Sequence, residues 1–315
     1  PERLKTWVNT QLAQTWEETG EKVEPDSLLA RRERYTATVP DGVGVLTAGV
    51  DVQDDRLEIE IVGWGRDEES WSIAYHVLDG DPAQPEVWER LDRLLLDAYR
   101  RADGREFVVQ ATAIDLGGHH TEEVYQFAKP RLGRRVWPVR GVGGRGIRTP
   151  IWPQKPSRVK SRATGYYPVG VDAAKDTIHA RLNLSRPGPG YMHFPHDRDA
   201  GFFEQLTAER KVRRYQNGQP YHVWICPSGV RNEALDCRVY AYAALRGLAR
   251  IGLSLNGTCD EIGAAATPSV PGPAPAPPPP APTEPDPKPA PPPAAPPARQ
   301  RPTRPRSRAR SSFMG

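Results

Sequence analysis

The spacing of apolar and polar positions divides the chain into successive elements from about residue 40 onward. The run GVLTAGVDVQ is continuously apolar, as a strand covered on both faces would be, and Asp51 stands near its end. RLEIEIVGWG alternates, with Leu57, Ile59 and Ile61 on one side and Glu58 and Glu60 on the other. That pattern predicts a half-exposed antiparallel strand. SWSIAYHVL supplies a third strand, completing a meander. In PEVWERLDRLLLDAYRRA the residues Val87, Leu91, Leu94, Leu95 and Ala98 recur at helical spacing behind a proline at the start. FVVQATAID is a second buried strand, ending at Asp115, and a helix (HHTEEVYQFAKPRL) and a strand (RVWPVRGV) follow it. Strand, helix, strand implies a parallel crossover and therefore a mixed sheet. Then come a strand at YYPVGV, a helix at DAAKDTIHARLN, the short YMHFP, a helix around FFEQLTAE, and a hairpin with Asn217-Gly218 at its turn. A last helix, RNEALDCRVYAYAALR, is rich in alanine yet opens with two acids, Glu233 and Asp236.

Composition changes the picture at the two ends. From Ala264 onward the chain holds 19 of its 35 prolines. Such a segment buries too little apolar surface to offset its chain entropy and is expected to be disordered. Its seven basic residues against Glu284 and Asp286 give it a net charge of +5, against +4 for the whole chain. The basic balance therefore belongs to the tail, which suits an acidic partner surface or simply solubility. The expected organisation is an arm over residues 1–40, one domain over 41–255, and a Pro/Ala/Arg-rich tail over 256–315. Cys226, Cys237 and Cys259 are odd in number and lack metal spacing, which points to reduced thiols in an intracellular protein. No apolar run is long enough for a membrane span, and no membrane partner is expected.

The candidate chemistry lies in the acids. Asp51 and Asp115 each finish an apolar strand, and open sheets place binding groups at strand ends. Glu233 and Asp236, three apart, share a helix face. Either acid there also suits the helix N-terminus, Glu233 more than Asp236. Carboxylates packed together repel one another unless a cation neutralises them, and hard oxygen ligands select Mg2+ or Mn2+. Two such ions, about 4 Å apart, are the usual device for cutting phosphodiesters. Two strand-end aspartates and a late helix acid, in this order of elements, match the ribonuclease H-like fold, an α/β mixed sheet flanked by helices.

Four stretches together resemble the nuclease domain of the large terminase subunit of lambda-like tailed phages: LTAGVDVQDDRLEIEIVGWGRDEESW, AIDLGGHHTEEVYQF, GVDAAKDTI and RNEALDCRVYAYAALR. The resemblance spans roughly residues 5–250. It implies a metal-dependent endonuclease that cuts concatemeric viral DNA during genome packaging, in the host cytoplasm, with two Mg2+ or Mn2+ ions. It implies as partners double-stranded DNA, the terminase small subunit, the portal of the prohead, and an ATPase domain of the same polypeptide. Nowhere in the sequence is there a G-x-x-x-x-G-K-[ST] loop, so ATPase activity is not expected of this chain. WVNTQLAQTWEE would be the exit from that ATPase domain. Residue by residue, Asp51 resembles a ligand bridging both metals, Asp115 a second ligand, and Glu233 or Asp236 the ligand from the last helix. Lys175 resembles a lysine the family keeps near its active site, and Asp172 is expected to cap the helix that carries it.

Two further stretches compete for attention. His119-His120 follows Asp115, but sequential neighbours diverge, so at most one could join the site. The stretch RLGRRVWPVRGVGGRGIRTPIWPQKPSRVKSR holds ten Arg or Lys, interleaved with Trp137 and Trp152. Cationic loops with aromatics suit contact with a DNA backbone, which makes Arg140, Arg145, Arg148, Lys155, Arg158, Lys160 and Arg162 candidate DNA contacts. Two alternatives to the packaging nuclease remain: a non-catalytic docking module between motor and portal, and a junction resolvase on the same fold.

Overall fold

The computed structural model describes residues 23–144, 149–158, 165–216 and 219–266. Its centre is a seven-stranded sheet of β1 (Val45–Val52), β2 (Arg56–Trp64), β3 (Ser70–Asp79), β6 (Val109–Asp115), β7 (Val136–Val142), β8 (Tyr167–Gly170) and β9 (Met192–His193). The strand order is β8-β7-β6-β1-β2-β3-β9. β1, β2 and β3 form the antiparallel meander, while β6, β7 and β8 continue the sheet in parallel from β1 and β9 runs parallel to β3. A meander extended by parallel crossovers is the ribonuclease H-like arrangement anticipated from the sequence. Two small ladders lie outside it, β4 (Tyr99–Arg100) with β5 (Glu106–Phe107), and β10 (Arg210–Gln216) with β11 (Gln219–Ile225). The ladder β10–β11 is the expected hairpin, and its Asn217-Gly218 turn lies outside the described residues.

Helices cover both faces, which is why β1 is buried from end to end. On one face α2 (Pro85–Leu96) and α3 (Thr121–Ala128) pack Val87, Trp88, Leu91, Val124 and Phe127 against Leu46, Ala48, Val50, Ile59 and Ile61. On the other lie α4 (Val171–Leu182), α5 (Ala200–Leu206) and the long α6 (Glu233–Arg250). The period of two along β1 therefore sends Leu46, Ala48 and Val50 toward α2 and leaves Thr47, Gly49 and Asp51 facing α6.

Several expectations change. The polar side of β2 is not exposed: Glu58 and Glu60 are both fully buried on the α6 face. Arginines make that possible. Arg56 Nε donates to Glu58 Oε1 at 2.7 Å, and Arg231 and the Tyr75 hydroxyl also donate to Glu58. Arg238 of α6 donates to both oxygens of Glu60, and the Ser72 hydroxyl donates to Oε1 at 2.7 Å. Helix α2 ends at Leu96 rather than running through Ala98, because Asp97 turns extended and Tyr99 enters the ladder with Phe107. The arm contributes to the domain: α1 (Pro25–Ala30) follows Val23, and Val23 and Leu28 are buried in the α6-side core. At the other end, where the tail was expected to begin, α7 (Leu255–Ala266) packs Leu255 and Ile262 against the core. Trp137 and Trp152 are packing residues, their ring centroids 4.9 Å apart beside Tyr167, rather than part of a DNA-facing surface.

Candidate active site

In the parallel pairing of β1 with β6, Val50 stands opposite Ile114. The next residue on each strand is an aspartate, so Asp51 and Asp115 end neighbouring strands abreast, on the α6 face. Gln53 Nε2 donates to Asp51 Oδ2 at 2.5 Å. Asp115 accepts from the Tyr240 hydroxyl of α6 and from the backbone N–H groups of Leu116 and Gly117. A Cβ at residue 117 would sit 2.3 Å from Asp115 Oδ2, so a side chain there would force the carboxylate to shift.

Helix α6 reaches these strands because both surfaces are nearly bare of side chains. A Cβ on Gly49 would lie 1.9 Å from the Cys237 carbonyl oxygen and 2.4 Å from the Ala241 nitrogen. Thr47 Oγ1 donates to the Ala241 carbonyl at 2.8 Å and itself accepts from Trp64 Nε1 at 2.8 Å. Cys237 thus lies over β1, and Asp236, one residue earlier, is carried toward the strand ends. There Lys175, a buried residue of α4, places Nζ 3.3 Å from Asp236 Oδ1 and 2.6 Å from Glu209 Oε1. Asn232 Nδ2 bridges the same two acids, at 2.8 Å to Glu209 Oε1 and 2.9 Å to Asp236 Oδ2.

Glu233 belongs to a different arrangement. Arg56 Nη2 donates to its Oε1 at 2.7 Å and Arg231 Nε lies 3.2 Å from the same oxygen, so two guanidinium groups hold it beside Glu58. Asp172 does not cap α4; its Oδ2 accepts the Gly144 N–H at 2.7 Å. His119 pairs with Asp54 at the surface, Nδ1 to Oδ1 2.9 Å. Of the basic candidates, Arg140 is exposed, lies over the Tyr166 ring at 5.3 Å and is near enough to Asp115 to draw its pKa down. Lys155 and Arg158 are exposed, while Arg145, Arg148, Lys160 and Arg162 lie outside the described residues.

The electrostatics separate these acids. Burial, with the charges of Asp236 and Asp115 added, pushes Asp51 well above the usual carboxylate range. Asp115 is also raised by burial, against its hydrogen bonds. Asp236 is raised by burial to about 6, although Lys175 opposes the shift. Burial alone would lower the Lys175 ammonium, but Asp236 and Glu209 overcome it and the net shift is upward. Three carboxylates with upward shifts are therefore grouped with one ammonium, shared with Glu209, and with the exposed guanidinium of Arg140 acting on Asp115. Such a grouping is short of positive charge. Among the described residues no three His, Cys, Asp or Glu side chains stand at ready-made ligand spacing. Their oxygens are directed instead to Gln53, Tyr240, Lys175 and Asn232.

Sequence reasoning pointed to Asp51, Asp115, Asp236 and Lys175, which the fold brings together, and to Glu233, which is buried and held by arginines beside Glu58. It missed Gln53, Glu209, Asn232 and Tyr240. Asn232 lies inside the RNE stretch already singled out. Glu209 gave no signal beyond standing directly ahead of the hairpin.

The family model described as the terminase large subunit gpA endonuclease domain matches residues 1–252, four-fifths of the chain. The chain belongs to that family. It is 37% identical over 254 residues to the terminase large subunit of Escherichia phage lambda, a match covering 78% of this chain and 39% of that protein. To the terminase large subunit of Enterobacteria phage P21 it is 38% identical over 258 residues, covering 78% and 39%. The chain thus spans about two-fifths of the length of these relatives. Among solved structures, a variant nuclease domain of the large terminase subunit of bacterial virus Sf6 with manganese and beta-thujaplicinol matches at TM-score 0.42 and 11% identity, covering 69% of this chain and 96% of that one. The large terminase of HK97 bacteriophage matches at TM-score 0.41 and 12% identity, covering 77% and 47%. As a terminase endonuclease domain, the chain is a nuclease by family, and its acid cluster is the place to look for the chemistry.

Proposed function

We propose that this domain hydrolyses phosphodiester bonds of double-stranded DNA with two divalent cations, Mg2+ or Mn2+, held by Asp51, Asp115 and Asp236, and that it cuts concatemeric viral DNA during packaging. The observation that carries this reading is the trio of aspartates from β1, β6 and α6, Asp51 buried and Asp115 and Asp236 half-buried, grouped with too little positive charge to balance them. Carboxylate oxygens are the hard donors that Mg2+ and Mn2+ prefer, so the donor set fits the ions. Bound there, divalent cations would polarise the phosphate and lower the pKa of the attacking water.

The chain's own residues do the rest. Gln53 orients Asp51, Asn232 orients Asp236, and binding an ion would exchange some of these contacts for ligation. Asp236 is favoured over Glu233 as the ligand from α6, because Glu233 already answers two arginines. Lys175 keeps a buried positive charge at the edge of the cluster. The exposed Arg140, which acts on Asp115, and the exposed Lys155 and Arg158 would serve as contacts to the DNA backbone, which fix position without reading sequence. The partners of this reading are the small subunit, the portal of the prohead and an ATPase domain of the same polypeptide, met in the host cytoplasm.

The test is nicking of supercoiled plasmid in Mn2+. Asp51→Asn is expected to abolish it while circular dichroism and thermal unfolding show an intact fold. Wild-type rates in that variant would overturn the assignment.

A further inference from the structure

Glu209 is buried, its side chain 4% exposed, and belongs to none of the acid positions the motifs single out. It stands at the foot of the hairpin, immediately before Arg210, which opens β10 opposite Ile225. The hairpin is tied to α4 one residue beyond Lys175: Lys211 Nζ lies 2.7 Å and Trp224 Nε1 2.9 Å from Asp176 Oδ1. Glu209 is therefore fixed relative to Lys175 from two directions. The Lys175 ammonium sits closer to Glu209, at 2.6 Å, than to Asp236, at 3.3 Å. An ammonium facing a single buried carboxylate closes to a charge-assisted contact of about 2.8 Å. The longer approach to Asp236 is thus the mark of a competing acid, and Asn232 keeps the two acids in register.

We propose that Glu209 is a positioning residue that holds the Lys175 ammonium back from Asp236, leaving the Asp236 carboxylate available to a divalent cation. The proposal rests on the metal-dependent reading above. Without Glu209, burial of the ammonium is balanced only by closing on Asp236, and Lys175 then competes with the cation for that carboxylate. Glu209→Gln keeps an acceptor for Asn232 and nearly the same shape, so it removes the charge with little else.

Calorimetric titration of the purified chain with Mn2+ tests this. Glu209→Gln is expected to weaken Mn2+ binding by about tenfold, the scale of one rearranged charged contact. The double variant Glu209→Gln/Lys175→Met, which removes the competing ammonium as well, is expected to recover to within about threefold of wild type. Glu209→Asp keeps the charge and stays within the same range, and it serves where the Gln variant unfolds. Unchanged affinity in Glu209→Gln overturns the proposal. So does a double variant as weak as the single one, because Glu209 would then be a ligand or a support of the fold. A metal-free crystal structure of Glu209→Gln separates this from the metal reading: Lys175 Nζ should move from 3.3 Å to about 2.8 Å of Asp236 Oδ1. If wild type binds no Mn2+, the metal reading fails by itself, and an unmoved Lys175 in that crystal sinks the positioning role independently.

Discussion

Gly49→Ala is the smallest change that should separate α6 from its sheet. The new methyl would start 1.9 Å from the Cys237 carbonyl oxygen and 2.4 Å from the Ala241 nitrogen, both backbone atoms that no rotamer change can move aside. Restoring an ordinary contact of about 3.5 Å requires α6 to retreat by roughly 1.6 Å. That retreat breaks the 2.8 Å bond from Thr47 to the Ala241 carbonyl and loosens the alanines packed beneath the helix. Overpacking costs about 1–3 kcal/mol and the lost hydrogen bond about 1 kcal/mol, so a total of about 3 kcal/mol is expected. For a domain of this size that lowers Tm by about 6–12 °C. Asp236 rides on the same turn of α6, and with the ligand role proposed for it a displacement on the order of 1 Å is expected to cost about a hundredfold in rate. Thermal unfolding by circular dichroism and plasmid nicking in Mn2+ measure the two effects. Gly133→Ala is the control, since a Cβ there meets nothing within 4 Å. A Gly49→Ala protein that melts within 2 °C of wild type by that scale, and cuts at the wild-type rate, would refute the close-packing account of how Asp236 is delivered.

The remaining predictions test the charges. Asp236 titrates at about 6 in the folded chain, above its ordinary 3.8, so its ionisation costs nothing below the lower value and the full amount above the higher one. Metal-free stability should therefore fall between those pH values by roughly 3 kcal/mol, and Asp236→Asn should flatten that part of the pH profile in chemical denaturation; superimposable profiles would count against the buried charge. Glu60→Gln leaves the fully buried Arg238 without its counter-charge and is expected to cost about 3–5 kcal/mol in urea unfolding, whereas a loss below about 1 kcal/mol would mean the pair is not desolvated. Replacing Arg140, Lys155 and Arg158 together by alanine should lower the slope of log affinity for duplex DNA against log salt by about 2–3, with no change in sequence preference. An unaltered slope would remove these residues from the DNA contact.

How much of this was legible in the sequence depended on which physical signal each residue left. Asp51 and Asp115 were readable because each ends an apolar strand, and parallel pairing then sets them abreast. The tight seat of α6 was readable from its alanines, though its counterpart, Gly49, carried no mark of its own. The polar side of β2 was misread because alternation reveals that a strand has two faces without revealing what covers the second. Arg238 and Arg231 come from more than 170 positions away in the chain to satisfy Glu60 and Glu58. The same long-range arginines resolve the question posed by two acids at the head of α6. Across that face the supply of positive charge is graded. Over β2, Glu58, Glu60 and Glu233 are answered by Arg56, Arg231 and Arg238. Over β1 and β6, Asp51 has the neutral amide of Gln53, Asp115 has Tyr240, backbone N–H groups and the field of the exposed Arg140 without an ion pair, and Asp236 shares one ammonium with Glu209. Acids matched by arginine are complete within the fold, and a cation would gain little from them. The unmatched ones carry the unbalanced charge, which is the argument for setting the divalent ions at Asp51, Asp115 and Asp236 and for treating Glu233 as part of the frame around them.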